Sequence, residues 1–197
     1  MVSSLLICGS MAYTFALLTA RQQESLQRYA TQDALTQLGN RRAMDEEMRL
    51  SLDDYARNQI PATLIVIDLD FFKTVNDKYG HSVGDGVLID LAKLLHRRVR
   101  KTDRVFRFGG EEFVVLARNA TQEEAAVIAE QLRAQIELEL RDPETLTASF
   151  GLAQLANNEK VEDWFNRADK AVYQAKQLGR NCVVAAEHPH PVDNESV

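Results

Sequence analysis

The chain has 197 residues, enough for one large domain with an accessory segment and too few for two full catalytic domains. With 45% hydrophobic and 26% charged residues it has the balance of a folded protein, which excludes a disordered one. A net charge of −6 argues against a polynucleotide partner, although a small phosphorylated ligand needs only a few local cations.

Residues 1–20 carry no charge, and Arg21 is the first charged side chain. The run VSSLLICGSMAYTFALLTA is close to the ~20 apolar residues that a helix needs to cross a bilayer. No basic stretch precedes it, as one would in a cleaved signal peptide. Arg21 and Arg28 follow, which biases the C-terminal side toward the cytoplasm. The run therefore predicts membrane anchoring by a transmembrane helix over 1–20, in the inner (cytoplasmic) membrane. A signal peptide or a helix buried against a partner compete with that reading, and the chain also reads as a piece of a longer membrane protein. Residues 21–32 predict a connector helix, because Leu18, Leu26, Tyr29 and Asp33 follow a helical seam. A short coiled-coil contact and a lone connector fit that seam equally. Cys8 and Cys182 are too few and too distant for a disulfide framework or a zinc pattern, so the chain suits a reducing compartment.

Helix-period and strand-like segments then alternate. Arg41–Asn58 has a helical pattern that Pro61 ends. Ala62–Asp68 (ATLIVID) is a nearly unbroken apolar run of branched residues, as in a central strand covered on both faces. A short helix follows in FFKTVNDKYG and a longer one over Val83–Val99. Val105–Phe108 and Glu111–Ala117 are apolar runs split by Gly109-Gly110, the spacing of a hairpin with a two-residue turn. Thr121 opens a helix, with Glu124 placed for a capping box. Thr145–Ala153 reads as a strand, Val161–Leu178 as a helix and Cys182–Ala186 as a last strand. Residues 187–197 (EHPHPVDNESV) read as a disordered tail. The order predicts an α/β (α+β) fold: a mixed sheet flanked by helices and preceded by an N-terminal helix.

Acidic side chains gather at strand ends: Asp68 and Asp70 close ATLIVIDLD, while Glu111 and Glu112 follow the glycine pair. Two such rims side by side form an oxygen-rich pocket suited to Mg²⁺, which favours a few carboxylates plus substrate phosphates. Asp70, just before FFKTVNDKYG, is read as the cap of that helix. Asp68 lacks so easy an explanation, because an uncompensated carboxylate on a buried strand is costly. Asn76, His81 and Asp85 sit in or beside a loop that precedes a helix, where such residues serve either turn formation and capping or recognition of a purine edge. Lys176 and Arg180 flank Gly179 at a helix end and read alone as ordinary capping, though they would also clamp a phosphate.

Together these segments resemble the GGDEF domain of diguanylate cyclases. The matching text is DALTQLGNRR at 33–42, DLDFFKTVNDKYGHSVGD at 68–85, RFGGEEF at 107–113, SFG at 149–151 and ADKAVYQAKQLGRN at 168–181. The resemblance spans residues 33–186, with the name-giving motif in its GGEEF form. It departs at Gln37, where the family usually has glycine in the opening turn.

The resemblance implies a palm-like fold related to nucleotidyl cyclases, condensing two GTP into cyclic di-GMP with release of two pyrophosphates. It implies Mg²⁺ (or Mn²⁺) on Asp68, Glu111 and the carbonyl of Leu69, with Glu112 contributing to a second ion. Glu111 is then also the general base and Lys73 the transition-state cation. Lys176 and Arg180 would lie on the β- and γ-phosphates, and Asn76, His81 and Asp85 at the nucleotide, with Asn76 and Asp85 on guanine. One domain binds one GTP, so catalysis implies a homodimer. Arg100 and Asp103 match the family's RxxD product-inhibition site; an Arg and an Asp three apart also fit a surface ion pair. A degenerate nucleotide receptor and a purely structural dimerisation module are the rival readings.

Overall fold

A computed structural model of the chain describes residues 31–140 and 143–189. The membrane helix expected over 1–20, nearly all of the connector and most of the tail lie outside the described residues. Among the described residues, no helix is long and apolar enough to cross a membrane.

Ten elements follow in order: α1 (Arg41–Asn58), β1 (Ala62–Leu69), α2 (Phe72–Tyr79), α3 (His81–Arg98), β2 (Arg104–Gly109), β3 (Glu112–Arg118), α4 (Gln122–Glu139), β4 (Ala148–Gln154), α5 (Val161–Gln177) and β5 (Val183–Ala185). The sheet order is β2-β3-β1-β4-β5. β1 pairs antiparallel with β3 and β4, and β5 joins β4 in parallel, so the sheet is mixed as expected.

β1 lies at the centre with every residue buried. Its alternating side chains divide the core into two layers. Leu64 and Val66 meet Met44 and Met48 of α1 and Trp164 and Val172 of α5. Ile65, Ile67 and Leu69 meet Val75 of α2, Leu91 and Leu95 of α3, and Ile128 and Leu132 of α4. Each fully buried aliphatic side chain here is worth about 1.5–3 kcal/mol. Caps mark the helix starts. The Asn40 side chain accepts the Ala43 N–H at 3.1 Å, and Thr121 and Glu124 form both bonds of the expected capping box.

A Cβ at Gly151 of β4 would overlap the Ala168 carbonyl and the Val172 amide, so glycine there lets α5 lie directly on the sheet. That close approach brings the last turns of α5 to the end of β1. Trp164 fixes the other end of the contact, donating from Nε1 to the Ala153 carbonyl at 2.7 Å.

Several expected boundaries move. α3 starts at His81 rather than Val83, β4 at Ala148 rather than Thr145, and β5 is confined to Val183–Ala185. Asp33, expected on a helical seam, sits in a turn, its N–H bonded to the Leu38 carbonyl at 2.8 Å. The hairpin turn is Gly110-Glu111, since Gly109 still pairs with Glu112. The register shifts between Arg107 and Gly109, and this bulge uses up one residue that an unbroken ladder would have paired. The extra residue, Phe108, stacks on Phe165 of α5 with ring centroids 4.7 Å apart. Gly110 takes φ +51, which glycine adopts without strain.

Candidate active site at the end of β1

Asp68 lies on the α5 side of β1, opposite Glu112 of β3 and Ser149 of β4. Its side chain is buried, and Lys176 Nζ stands 2.7 Å from its Oδ2. Burial pushes the Asp68 carboxyl above its ordinary range; Lys176 opposes that rise, while Glu111 and Asp70 add to it. Glu112 is also raised, first by burial and then by Asp68 and Asp169. Glu111 stands at the tip of the hairpin, its carbonyl 3.4 Å from the Leu69 amide. The β1 end and the hairpin tip thus form one acidic rim, with Lys176 as its near cation.

Arg107 holds that tip. Its Nε and Nη2 donate to the Gly110 carbonyl at 3.1 and 2.8 Å, and its Nη1 reaches Asp33 Oδ1 at 3.0 Å. Asp33 also accepts from the amide and hydroxyl of Thr36 at 2.8 and 2.6 Å. Burial alone would raise the Asp33 carboxyl, but the Thr36 and Arg107 contacts outweigh it and hold the group below its ordinary value. Sequence reasoning missed this anchor, because Asp33 and Arg107 are 74 residues apart. Asp169 was missed too, although its place seven residues before Lys176 on one helix was a readable sign that both face the rim.

Asp70 is not the cap of α2. The residue at that cap is Phe71, in the left-handed region with φ 57, and no side chain caps the helix. Asp70 instead accepts from Thr147 Oγ1 and Ser149 Oγ, both at 2.7 Å, and from the Asn181 amide at 3.1 Å. It ties β4 and the segment after α5 to the end of β1. That segment turns through three successive positive φ values at Gly179, Arg180 and Asn181. The turn places the Arg180 guanidinium 4.5 Å from the Phe71 ring centroid, beside the start of α2, where Lys73 is exposed.

Asn76 and Asp85 lie on the two helices expected there, Asn76 on α2 and Asp85 in the first turns of α3, and His81, expected in or beside a loop, is the first residue of α3. The two helices meet at Gly80, with φ 86, and Asn76 packs against Gly84, next to Asp85. The β1 rim and the α2–α3 elbow are linked through α2.

Arg100 and Asp103 lie at the opposite end of β2. Asp103 is buried and its Oδ2 accepts the Arg100 amide at 3.1 Å, while the Asp103 amide donates to the Arg100 carbonyl at 3.0 Å. The contact is therefore a closed turn, unlike the surface ion pair that the spacing also allowed. Burial raises the Asp103 carboxyl despite the Arg100 amide. The turn lines a cavity of about 570 Å³ that it shares with His96, Arg97, Lys101 and Arg104. At Gln37, beside it, φ is 61, the conformation that explains glycine as the family's usual residue.

No three His, Cys, Asp or Glu side chains among the described residues converge closely enough to hold an ion by themselves. The donor set still fits a divalent cation. Mg²⁺ commonly takes only one or two carboxylates and completes its shell with phosphates and water. Crowded carboxylates that already draw an ammonium to 2.7 Å form a rim in want of positive charge.

Fold and rim together define an α/β domain with a cation-seeking acidic edge beside a helical elbow. The family model described as "Diguanylate cyclase, GGDEF domain" matches residues 30–182, and the chain belongs to this family. It is 36% identical over 167 residues to diguanylate cyclase DgcS of Shewanella oneidensis, covering 84% of this chain and 56% of that protein. It is 40% identical over 167 residues to diguanylate cyclase DgcM of Escherichia coli K12, covering 84% of this chain and 41% of that one. The chain thus spans about half the length of these relatives. Among solved structures it resembles the coiled coil and GGDEF domain of DgcB from Caulobacter crescentus in complex with c-di-GMP. The TM-score is 0.84 at 29% identity, with 94% of this chain and 100% of that one covered.

Proposed function

We propose that this chain is a diguanylate cyclase, joining two GTP into cyclic di-GMP by attack of a ribose 3′-hydroxyl on the α-phosphate of the facing nucleotide. The observation that carries this reading is the juxtaposition of Asp68 and Glu111 at the end of β1, in a chain that belongs to the GGDEF family. Asp68, Glu111 and the Leu69 carbonyl would hold a divalent cation, Mg²⁺ or Mn²⁺, with Glu112 contributing to a second. A bound cation would offset the charge that builds on the α-phosphate. Glu111 Oε takes the proton of the 3′-hydroxyl, and the Lys73 ammonium stands beside the reacting phosphate. Lys176 and Arg180 serve the β- and γ-phosphates, Lys176 giving up its contact with Asp68 to do so. Asn76 and Asp85 read guanine, and His81 lines the nucleotide site.

Each domain supplies half of the reacting pair, so the active form is a homodimer. An N-terminal membrane helix and connector would raise the effective concentration of paired domains at the inner membrane, with the catalytic part in the cytoplasm. Product bound at Arg100 and Asp103 would restrain the enzyme; the cavity they line supports that role. Arg100→Ala then keeps turnover and weakens inhibition by added cyclic di-GMP, and inhibition equal to wild type rejects the assignment.

The whole reading is tested by incubating the full chain with GTP and Mg²⁺, following products by chromatography and oligomeric state by light scattering on the same sample. Cyclic di-GMP is the expected product. A confirmed dimer that binds GTP without turnover would make the chain a receptor, and one that does neither a scaffold.

A further inference from the structure

Two glycines sit close together in α3, Gly84 and Gly86, where glycine weakens a helix relative to alanine. Neither has a positive φ, so backbone conformation does not require glycine at either position. Their surroundings differ. A Cβ at Gly86 would meet no heavy atom within 4 Å, whereas one at Gly84 would overlap Asn76 Oδ1 and come within 3.1 Å of Phe72 Cζ. The atom that would be displaced furthest is the end of the Asn76 carboxamide, while the Phe72 ring would need to shift by only a few tenths of an ångström. Gly84 is buried at the elbow between α2 and α3, and the next residue is Asp85.

We propose that Gly84 is a positioning residue for base recognition: the absence of a side chain lets the Asn76 carboxamide lie flat on α3 beside Asp85. This rests on the reading of Asn76 as a guanine contact. A methyl group at 84 would rotate the amide away from its place while leaving the acidic rim, some distance along α2, unchanged. Loss should therefore appear in nucleotide affinity and base selectivity, with little effect on turnover at saturation. Gly86 is the internal control, since the same substitution there improves helix propensity and touches nothing.

The test compares Gly84→Ala, Gly86→Ala, Asn76→Ala and the Asn76→Ala/Gly84→Ala pair in the full chain. Equilibrium binding of non-hydrolysable GTP and ATP analogues is measured together with thermal melting, neither of which requires paired domains. Gly84→Ala should weaken the GTP analogue about tenfold, a typical effect for one displaced polar contact, and reduce its preference over the ATP analogue. Gly86→Ala should bind like wild type and melt higher. In the Asn76→Ala background, Gly84→Ala should cause no further loss of affinity, and most of any drop in melting temperature should be recovered, because the overlap with Asn76 Oδ1 is gone and only the tight approach to Phe72 Cζ remains. Gly84→Ala binding within twofold of wild type, or losing tenfold with and without Asn76, overturns the proposal. If Asn76→Ala itself binds normally, the guanine reading of Asn76 falls and Gly84 falls with it.

Discussion

Asp68 and Asp70 stand two residues apart at the end of one strand, both buried, and their surroundings are opposite. Asp70 is fully engaged: two hydroxyls and a backbone amide donate to it from β4, the segment before β4 and the turn after α5. Among the described residues, Asp68 has one close side-chain partner, the ammonium of Lys176, and shares its rim with Glu111 and Glu112. A buried carboxylate surrounded by neutral donors is a fastener. One left among like charges with a single mobile cation is costly in the folded state, and that cost is tolerated where a ligand will take up the charge. Their position on the strand is nearly the same; the donors that surround them separate their roles.

The largest expected effect breaks the comparison on the Asp68 side. On the proposed reading, Asp68→Asn should lower cyclic di-GMP formation by roughly a thousandfold, because it would remove a charge that holds the cation at the reacting phosphate. Thermal stability should change little, and a variant that unfolds would show that Asp68 is a fastener too. Asp70→Ala should do the reverse. Leaving three donors at a buried site without their charged acceptor should cost about 3 kcal/mol of stability, read from urea unfolding with an unchanged m-value. Stability equal to wild type would erase the contrast.

A third aspartate sharpens the comparison through pH. Asp33 is held below its ordinary carboxylate range by Thr36 and Arg107. Because its folded-state value is depressed, its contribution is present above the unfolded value of 3.8 and is lost as pH falls through the folded one. Asp33→Asn should therefore cost less than about 1 kcal/mol at pH 7, after solvent screening of a partly exposed pair. The gap to wild type should close under acid, and a gap that stays constant to pH 3 would detach the effect from this charge. The smallest effect lies at Gln37. Gln37→Gly relieves a left-handed backbone at the price of greater freedom in the unfolded chain, and should stabilise by about 0.5 kcal/mol in the same assay.

Much of the fold was legible because its signals are local. The branched run of β1, the Asn40 and Thr121 starts of α1 and α4, and the glycine turn between β2 and β3 each depend on neighbours within a few residues. The hairpin was misplaced by one position because the bulge at Phe108 answers to Phe165, across the fold. Asp70 looked like a helix cap for the same reason. Its donors lie 77, 79 and 111 residues away, and nothing beside it in the chain announces them.

The family resemblance named the rim residues, and the local pattern placed Asp68 on a buried strand. By itself the amino-acid sequence determined the element types, the mixed sheet and the residues that carry charge to its edge, since periodicity and capping are short-range. Only the tertiary structure decided which carboxylate is bound fast and which is left with Lys176. It also decided that Arg107 clamps the turn between β2 and β3 and that Gly84 must make room for Asn76. Those outcomes depend on distances across the folded chain, where burial makes each missing or present donor count.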